Sequence, residues 1–197
     1  MKKINTVVIP IAGMGTRFLP ITKVVSKEML NLLDKPIIDY AVEEAKEAGI
    51  EKFIFIINKN NKFVENYFTN NASLKKLLNK KNKAIYIDKI SKMNIEKNKL
   101  ITVIQNSPAG LGDAILKAEK HINGEDFCVI LPDDLILGAN CIKQLINVYN
   151  IQNTNVIGVM KVVYKDIEKY GVIGYSKISG SMLKVNKLIE KPNREKA

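Results

Sequence analysis

The most informative stretch of the sequence is VVIPIAGMGTR, which runs from Val7 to Arg17. Its first half is a short apolar run of the kind that forms a buried strand in a parallel sheet. The two glycines that follow, Gly13 and Gly15, allow the backbone to approach a ligand, and successive N–H groups in such a loop can hold an anion. The stretch therefore predicts a strand that ends either in a phosphate-binding loop or simply in a tight turn.

The glycine loop does not match the two most familiar nucleotide-binding motifs. It lacks the Gly-Lys-Ser/Thr of a Walker A loop, and Phe18 stands where a dinucleotide fingerprint has its third glycine. Cations nevertheless follow the loop closely, at Arg17, Lys23, Lys27 and Lys35. Cations beside a glycine loop suit a polyphosphate, whose charge must be neutralised for attack at phosphorus. Lys23 and Lys35 are equally typical of a solvated surface loop.

Outward from this stretch, apolar runs alternate with amphipathic segments. The predicted strands are 6–11, 52–57, 100–105, 127–131, 156–163, 172–176 and 183–190. The predicted helices are 36–48, 111–121 and 139–149. This alternation predicts an α/β fold with a doubly wound sheet, whose ligand lies beyond the carboxyl ends of the strands. Residues 1–197 are expected to form one domain, in which 58–99 is a lysine-rich helical excursion.

The chain is strongly basic, but its charge does not favour a nucleic-acid partner. Among 197 residues, 31 Lys and Arg against 20 Asp and Glu give a formal charge of +11. Only two of these cations are arginines, and eleven of the lysines lie within residues 59–99. Specific recognition of nucleic acids relies on the bidentate guanidinium, so we expect no nucleic-acid partner.

Two further absences narrow the class of protein. No apolar run approaches the roughly 20 residues of a membrane span, so no membrane partner is expected. Cys128 and Cys141 are too few for a disulfide framework and lack the spacing of metal ligands. Both observations predict a cytoplasmic protein with reduced thiols.

A pair of carboxylates, Asp133 and Asp134, directly follows the predicted strand 127–131. Carboxylates at the carboxyl end of a strand face the same crevice as the glycine loop, where their oxygens can hold Mg²⁺. The pair is also compatible with a turn or a helix cap.

Several segments together resemble the signature of the nucleotide-sugar pyrophosphorylases, and within them the bacterial UTP–glucose-1-phosphate uridylyltransferases. The matching segments are GMGTRFLPITK at 13–23, KEML at 27–30, DKP at 34–36, GLGDA at 110–114, LPDD at 131–134, YGV at 170–172 and EKP at 190–192. The resemblance spans essentially the whole chain. It implies a Rossmann-like mixed sheet of the nucleotide-diphospho-sugar transferase type, here without its C-terminal part.

The resemblance also implies a reaction and a site. Glucose 1-phosphate would attack the α-phosphate of UTP, with Mg²⁺ as cofactor, to give UDP-glucose and pyrophosphate. Carried over by position, the residues around the uracil are Ala12, Gly13, Glu28, Gln105 and Gly110, with Gly15 also in the substrate-binding loop. The residues for the phosphates are Arg17, Lys27 and Lys191, those for the glucose are Gly171 and Glu190, and the metal ligand is Asp133.

The chemistry of Gln105 supports a pyrimidine but does not choose between two of them. Its amide can donate and accept at once, which matches the O4 and N3–H edge of uracil and equally that of thymine. Ser26-Lys27 resembles the thymidylyltransferase relatives at that point, whereas KEML, GLGDA and LPDD favour the uridylyl branch.

The sequence departs from the family pattern in two respects. Ser26 and Asn31 stand where the uridylyl branch has prolines, so we expect a looser loop around Lys27. The family also continues beyond EKP, with a second metal-binding aspartate and helices that build a homo-oligomer. The alternative to an active enzyme is therefore a shortened, weakly active or inactive protein that binds UTP or associates with other chains.

Overall fold

The computed structural model describes residues 4–59, 61–107 and 109–193. The chain divides into two compact units, Met1–Val156 and Ile157–Ala197. The single domain expected from the sequence stays a prediction.

The first unit contains six strands and seven helices within the described ranges. The strands are β1 (Thr6–Ile11), β2 (Asn31–Leu32), β3 (Lys35–Pro36), β4 (Lys52–Ile57), β5 (Leu100–Ile104) and β6 (Phe127–Val129). The helices are α1 (Ile37–Glu47), α2 (Lys62–Phe68), α3 (Ala72–Lys80), α4 (Ala84–Met93), α5 (Leu111–Leu116), α6 (Glu119–Ile122) and α7 (Cys141–Gln152). Three short 3-10 turns between β1 and β2 span Thr16–Phe18, Ile21–Lys23 and Lys27–Met29.

Four of these strands form a parallel sheet in the order β5-β4-β1-β6. From β1 the chain adds β4 and β5 on one side and then returns to place β6 on the other side. The strand order therefore reverses between β1 and β6, and it is at such a switch point that a doubly wound sheet opens a ligand crevice. This topology confirms the predicted α/β class.

An apolar core covers each face of the sheet. Because successive side chains of a strand point to opposite faces, Val7 and Ile9 belong to one core and Val8 to the other. The first core packs β1 and β4 against α1, α2 and α7, and the second packs them against α5 and α6. Burial on both faces explains why the strand sequences are continuous apolar runs without polar alternation.

Most predicted elements of the first unit are present, with differences at their ends. β1 and β4 have the predicted bounds, whereas β5 and β6 end one and two residues earlier than expected. The helix expected at 111–121 is divided into α5 and α6. Around Ala118 the backbone bonds tighten to the 3-10 pattern, since its N–H donates to Ile115 and its carbonyl accepts from His121.

The predicted strand at 156–163 is wrong, because none of these residues is in a strand. Their β-branched composition suits a strand, but a strand also requires a neighbouring strand to satisfy its backbone groups. The lysine-rich excursion predicted at 58–99 is helical, as expected, and its described residues contain α2, α3 and α4.

The second unit consists of a 3-10 helix, Tyr164–Lys169, and an antiparallel hairpin formed by β7 (Gly171–Ser179) and β8 (Met182–Glu190). The hairpin turns at Gly180, whose φ of +55° favours glycine. These two strands pair as a sheet of their own. Across the described ranges of both units, no helix combines the length and apolar composition needed to cross a bilayer.

Candidate functional site

A cleft of about 280 Å³ opens beyond the carboxyl ends of the parallel strands in the first unit. Its lining residues are Pro10, Ala12, Gly13, Lys27, Glu28, Gln105, Gly110, Leu111, Ala114 and Leu131. Six of these ten are residues that the sequence predicted for the site. Of the apolar remainder, Pro10 belongs to β1, Leu111 and Ala114 to α5, and Leu131 follows β6. The last three lie in the GLGDA and LPDD segments, but the sequence predicted no binding role for them.

The glycine loop forms one wall of the cleft. A Cβ atom on Gly13 would lie 3.9 Å from Cε of Lys27, so the loop backbone passes close under the lysine side chain. Gly15 has a φ of +60°, and its carbonyl oxygen accepts a hydrogen bond from the hydroxyl of Thr22 at 2.8 Å. Gly15 does not line the cleft. It shapes the turn that follows Ala12 and Gly13, which do line it.

Lys27 joins two carboxylates at the edge of the cleft. Its Nζ donates to Oδ2 of Asp133 and lies 3.8 Å from Oε1 of Glu28. The side chain of Lys27 is 23% exposed, whereas that of Asp133 is 55% exposed. The structure thus brings the predicted cation and the predicted metal ligand together across 106 residues of sequence.

Glu28 is a buried acid on the cleft wall. Its side chain is 2% exposed, and its Oε2 has no hydrogen-bond partner in the described part of the chain. Burial is the largest cause that raises the pKa of Glu28, to about 7, and the neighbouring Lys27 only partly opposes it. A carboxyl group with such a pKa can hold a proton near neutrality and then donate a hydrogen bond.

Gln105 is the buried amide of the cleft, positioned directly after β5. Its backbone N–H donates to the carbonyl of Ile57 at the end of β4, at 2.8 Å. Its side-chain Nε2 donates to Oδ2 of Asp113 at 2.7 Å and lies 3.4 Å from the carbonyl oxygen of Gly110. The bond from Gln105 is the largest cause that lowers the pKa of Asp113. Gly110 has a φ of +98°, which favours glycine at the entry to α5.

Asp113 is a residue that the site prediction did not include. It lies within the GLGDA segment that carries part of the resemblance, but the resemblance implies no role for this residue. Its contact with Gln105 depends on how α5 is placed after β5, which the sequence pattern does not indicate.

The cations that follow the glycine loop have different surroundings. Arg17 lies exposed on the turn Thr16–Phe18, outside the cleft lining. Lys35 pairs with Glu43 and places its Nζ 4.2 Å from the centroid of the Tyr40 ring. Lys35 therefore anchors the start of α1, which supports the surface role left open for it in the sequence.

The remaining predicted residues lie together in the second unit, at the open end of the hairpin. Gly171 pairs with Glu190, and a Cβ atom on Gly171 would lie 3.2 Å from Oε2 of that glutamate. Lys191 follows with a φ of +41°, and its Nζ lies 3.5 Å from Oε1 of Glu190. Its backbone N–H donates to the carbonyl of Tyr170 at 3.2 Å, which holds the lysine at the strand end.

The single carboxylate of Asp133 suits a metal ion that keeps most of its coordinated water. Within 4–59, 61–107 and 109–193, no group of three or more His, Cys, Asp or Glu could hold a metal ion. Asp133 offers a single exposed carboxylate beside Lys27. Mg²⁺ commonly takes one or two protein carboxylates and completes its shell with water and substrate phosphates, so the residues present are compatible with it.

A glycine loop at the switch point of a parallel sheet, with a lysine, a buried amide and a buried acid in one cleft, is the arrangement typical of nucleotide-binding α/β proteins. The nucleotidyl transferase family model matches residues 6–197. The chain therefore belongs to the nucleotidyl transferase family, and this match extends over both units.

Individual members of known activity or structure show which part of this family the chain resembles. The chain is 42% identical over 197 residues to the UTP–glucose-1-phosphate uridylyltransferase YngB of Bacillus subtilis (strain 168), covering 100% of this chain and 66% of that protein. It resembles a UTP-bound UGPase from Acinetobacter baumannii with a TM-score of 0.90 at 34% identity, over 99% of this chain and 70% of that one. It resembles a UDP-glucose pyrophosphorylase complexed with UDP-glucose with a TM-score of 0.87 at 37% identity, over 99% and 72%.

Proposed function

We propose that this chain transfers a uridylyl group from UTP to glucose 1-phosphate, giving UDP-glucose and pyrophosphate. The observation that carries the proposal is the cleft in which the glycine loop, Lys27 and Gln105 meet. The similar proteins support the choice of substrates, since one is named for this reaction and others hold UTP or UDP-glucose. The chain spans about two thirds of the length of these relatives, so their full activity is a proposal here.

The uracil would lie in the first unit, between the glycine loop and the start of α5. Ala12 and Gly13 border this space on one side and Gly110 on the other. The buried polar groups that face the space are Gln105 and Glu28. A mainly apolar cleft with a few fixed polar groups is the usual arrangement for recognising a planar base.

The phosphates would be held by cations rather than by a general base. An oxygen of the sugar phosphate forms the new bond to the α-phosphorus, while the bond to the β-phosphate breaks and pyrophosphate leaves. Because the sugar phosphate is already an anionic nucleophile, the reaction mainly requires positioning and neutralised charge. Lys27 lies in the cleft for this task, and Arg17 and Lys191 are proposed to serve the pyrophosphate and the sugar phosphate.

Asp133 would hold Mg²⁺ together with water and phosphate oxygens. The bound cation would supply charge neutralisation at the triphosphate. Lys27 donates to the same carboxylate, so it holds Asp133 at the edge of the cleft.

Gly171 and Glu190 are proposed to bind the glucose. Their support is local, because the hairpin places the glycine backbone, the carboxylate and Lys191 side by side. A carboxylate is a common acceptor for sugar hydroxyls, and the missing Cβ of Gly171 leaves room for the carboxylate of Glu190 beside it.

The remaining expectations stay proposals. The thiols of Cys128 and Cys141 are free, which is typical of the reducing cytoplasm that the sequence predicted. A homo-oligomer is expected only of a full-length form and rests on the family resemblance, and the lack of a nucleic-acid or membrane partner rests on the sequence alone.

The direct test mixes the chain with UTP, glucose 1-phosphate and Mg²⁺ and measures pyrophosphate release. We expect release that requires both substrates. The second candidate, a protein that binds UTP without turnover, predicts calorimetric UTP binding with no pyrophosphate. Absence of both binding and release would contradict the proposed function.

A further inference from the structure

The side-chain nitrogen of Gln105 is bonded within the protein, so the simultaneous donation to O4 of the base that the sequence suggested is wrong. Nε2 carries two protons, and two acceptors lie within reach: Oδ2 of Asp113 at 2.7 Å and the carbonyl oxygen of Gly110 at 3.4 Å. No hydrogen bond reaches Oε1 from the described residues. Gln105 is only 5% exposed and lines the cleft, so this oxygen is the polar atom of the amide that remains available there.

The chemistry of Asp113 fixes which end of the amide faces it. An ionised carboxylate only accepts hydrogen bonds, and the carbonyl of Gly110 also only accepts. If the amide turned by 180°, Oε1 would face two acceptors and Nε2 would lose both partners. That arrangement leaves a buried donor unsatisfied, which is costly.

We propose that Asp113 is a positioning residue that fixes the Gln105 amide with its oxygen toward the ligand, and that it thereby sets the preference for uracil over cytosine. This inference rests on the proposed function, since it takes a pyrimidine nucleotide as the ligand of the cleft. Oε1 accepts the N3–H of uracil. In cytosine N3 is an acceptor, so the two lone pairs oppose each other.

A positioning role of Asp113 can be distinguished by experiment from a role that only stabilises α5. Asp113 also pairs with Lys117, with Nζ 3.4 Å from Oδ1, on the same helix surface. Removing Lys117 breaks this pair but leaves the acceptor for Gln105 in place. A purely structural role would make the two substitutions equivalent, whereas a positioning role separates them.

The test compares UTP and CTP binding to the full chain by calorimetry in the wild type, Asp113→Asn, Asp113→Glu and Lys117→Met. Asparagine can donate as well as accept, so it allows both orientations of the amide. We expect Asp113→Asn to reduce the ratio of UTP to CTP affinity about tenfold, corresponding to the loss of one fixed hydrogen bond. We expect Asp113→Glu, which remains acceptor-only, to recover most of the ratio, and Lys117→Met to leave it unchanged.

A second probe does not depend on any variant. The 3-methyl derivative of UTP lacks N3–H, and we expect the wild-type chain to bind it about tenfold more weakly than UTP. Equal binding of the two, or an unchanged UTP to CTP ratio in folded Asp113→Asn, would overturn the inference while leaving the proposed function intact. Failure of the wild type to bind UTP at all would overturn both.

Discussion

The ammonium of Lys27 lies 3.8 Å from Oε1 of Glu28, a carboxyl group that is almost completely buried beside the glycine loop. The same ammonium donates to Oδ2 of Asp133, in the segment that follows β6. One cation therefore connects the turn after β1 to the segment after β6. These are the two strands between which the strand order reverses, so the contact places charge at the expected ligand crevice.

The first prediction concerns the pH dependence of stability. The pKa of Glu28 is raised to about 7 in the folded chain from an ordinary value of 4.5, so the folded state binds a proton more tightly than the unfolded state. The free energy of unfolding then falls as pH rises from about 4.5 to 7 and stays low above it. Glu28→Gln removes this titration. As pH rises from 5 to 8, we expect the free energy of unfolding of the variant to increase by up to about 3 kcal/mol relative to that of the wild type.

Urea unfolding of both proteins at pH 5 and pH 8 measures this difference. Glu65→Gln, on α2, is the matched control and should follow the wild-type profile. A Glu28→Gln profile parallel to that of the wild type would show that burial of Glu28 has no consequence for stability.

The second prediction separates binding from turnover at Lys27. Lys27→Met removes the cleft cation, and we expect turnover to fall at least about 100-fold, because charge neutralisation matters most in the transition state. The affinity for UTP should fall less, by about tenfold. Initial rates and UTP calorimetry on the same preparations provide both numbers.

Lys23→Met serves as the control, because Lys23 is an exposed lysine on the neighbouring turn Ile21–Lys23. Its rates should remain within about twofold of wild type. A Lys27→Met protein with normal turnover would remove Lys27 from the mechanism.

The third prediction addresses the missing proline at Ser26. The backbone of Ser26 has a φ of −62° and a ψ of 147°, which are values that a proline ring also adopts. We therefore expect Ser26→Pro to raise the free energy of unfolding by about 0.5–1 kcal/mol through a less flexible unfolded chain. Chemical denaturation tests this, and a destabilised variant would mean that the loop cannot accept the ring.

The fourth prediction compares two glycines of the first unit. At Gly15 the φ is +60° and an added Cβ would lie 3.0 Å from Cγ2 of Thr22, so Gly15→Ala should destabilise the fold by about 1–2 kcal/mol. At Gly112, within α5, a Cβ would meet nothing within 4 Å, and Gly112→Ala should be neutral or stabilising by up to about 1 kcal/mol. Thermal unfolding of both variants decides whether the first glycine is required by its conformation.

The parallel sheet and the first half of the site could be predicted because their signals are local. β1 and β4 are apolar runs buried on both faces, and the glycines follow β1 directly. The segment 156–163 has the same composition, but strand formation depends on a neighbour that composition does not specify. The contact of Gln105 with Asp113 likewise depends on the position of a helix after its strand, which the residue pattern leaves undetermined.

The most direct test of the proposed uridylyl transfer follows the α-phosphate of UTP. UTP labelled with ³²P at the α-position is incubated with the chain, glucose 1-phosphate and Mg²⁺, and the products are separated. We predict that all transferred label enters UDP-glucose while an equal amount of unlabelled pyrophosphate is released. Bound UTP that keeps its label unchanged in the presence of both substrates would contradict it.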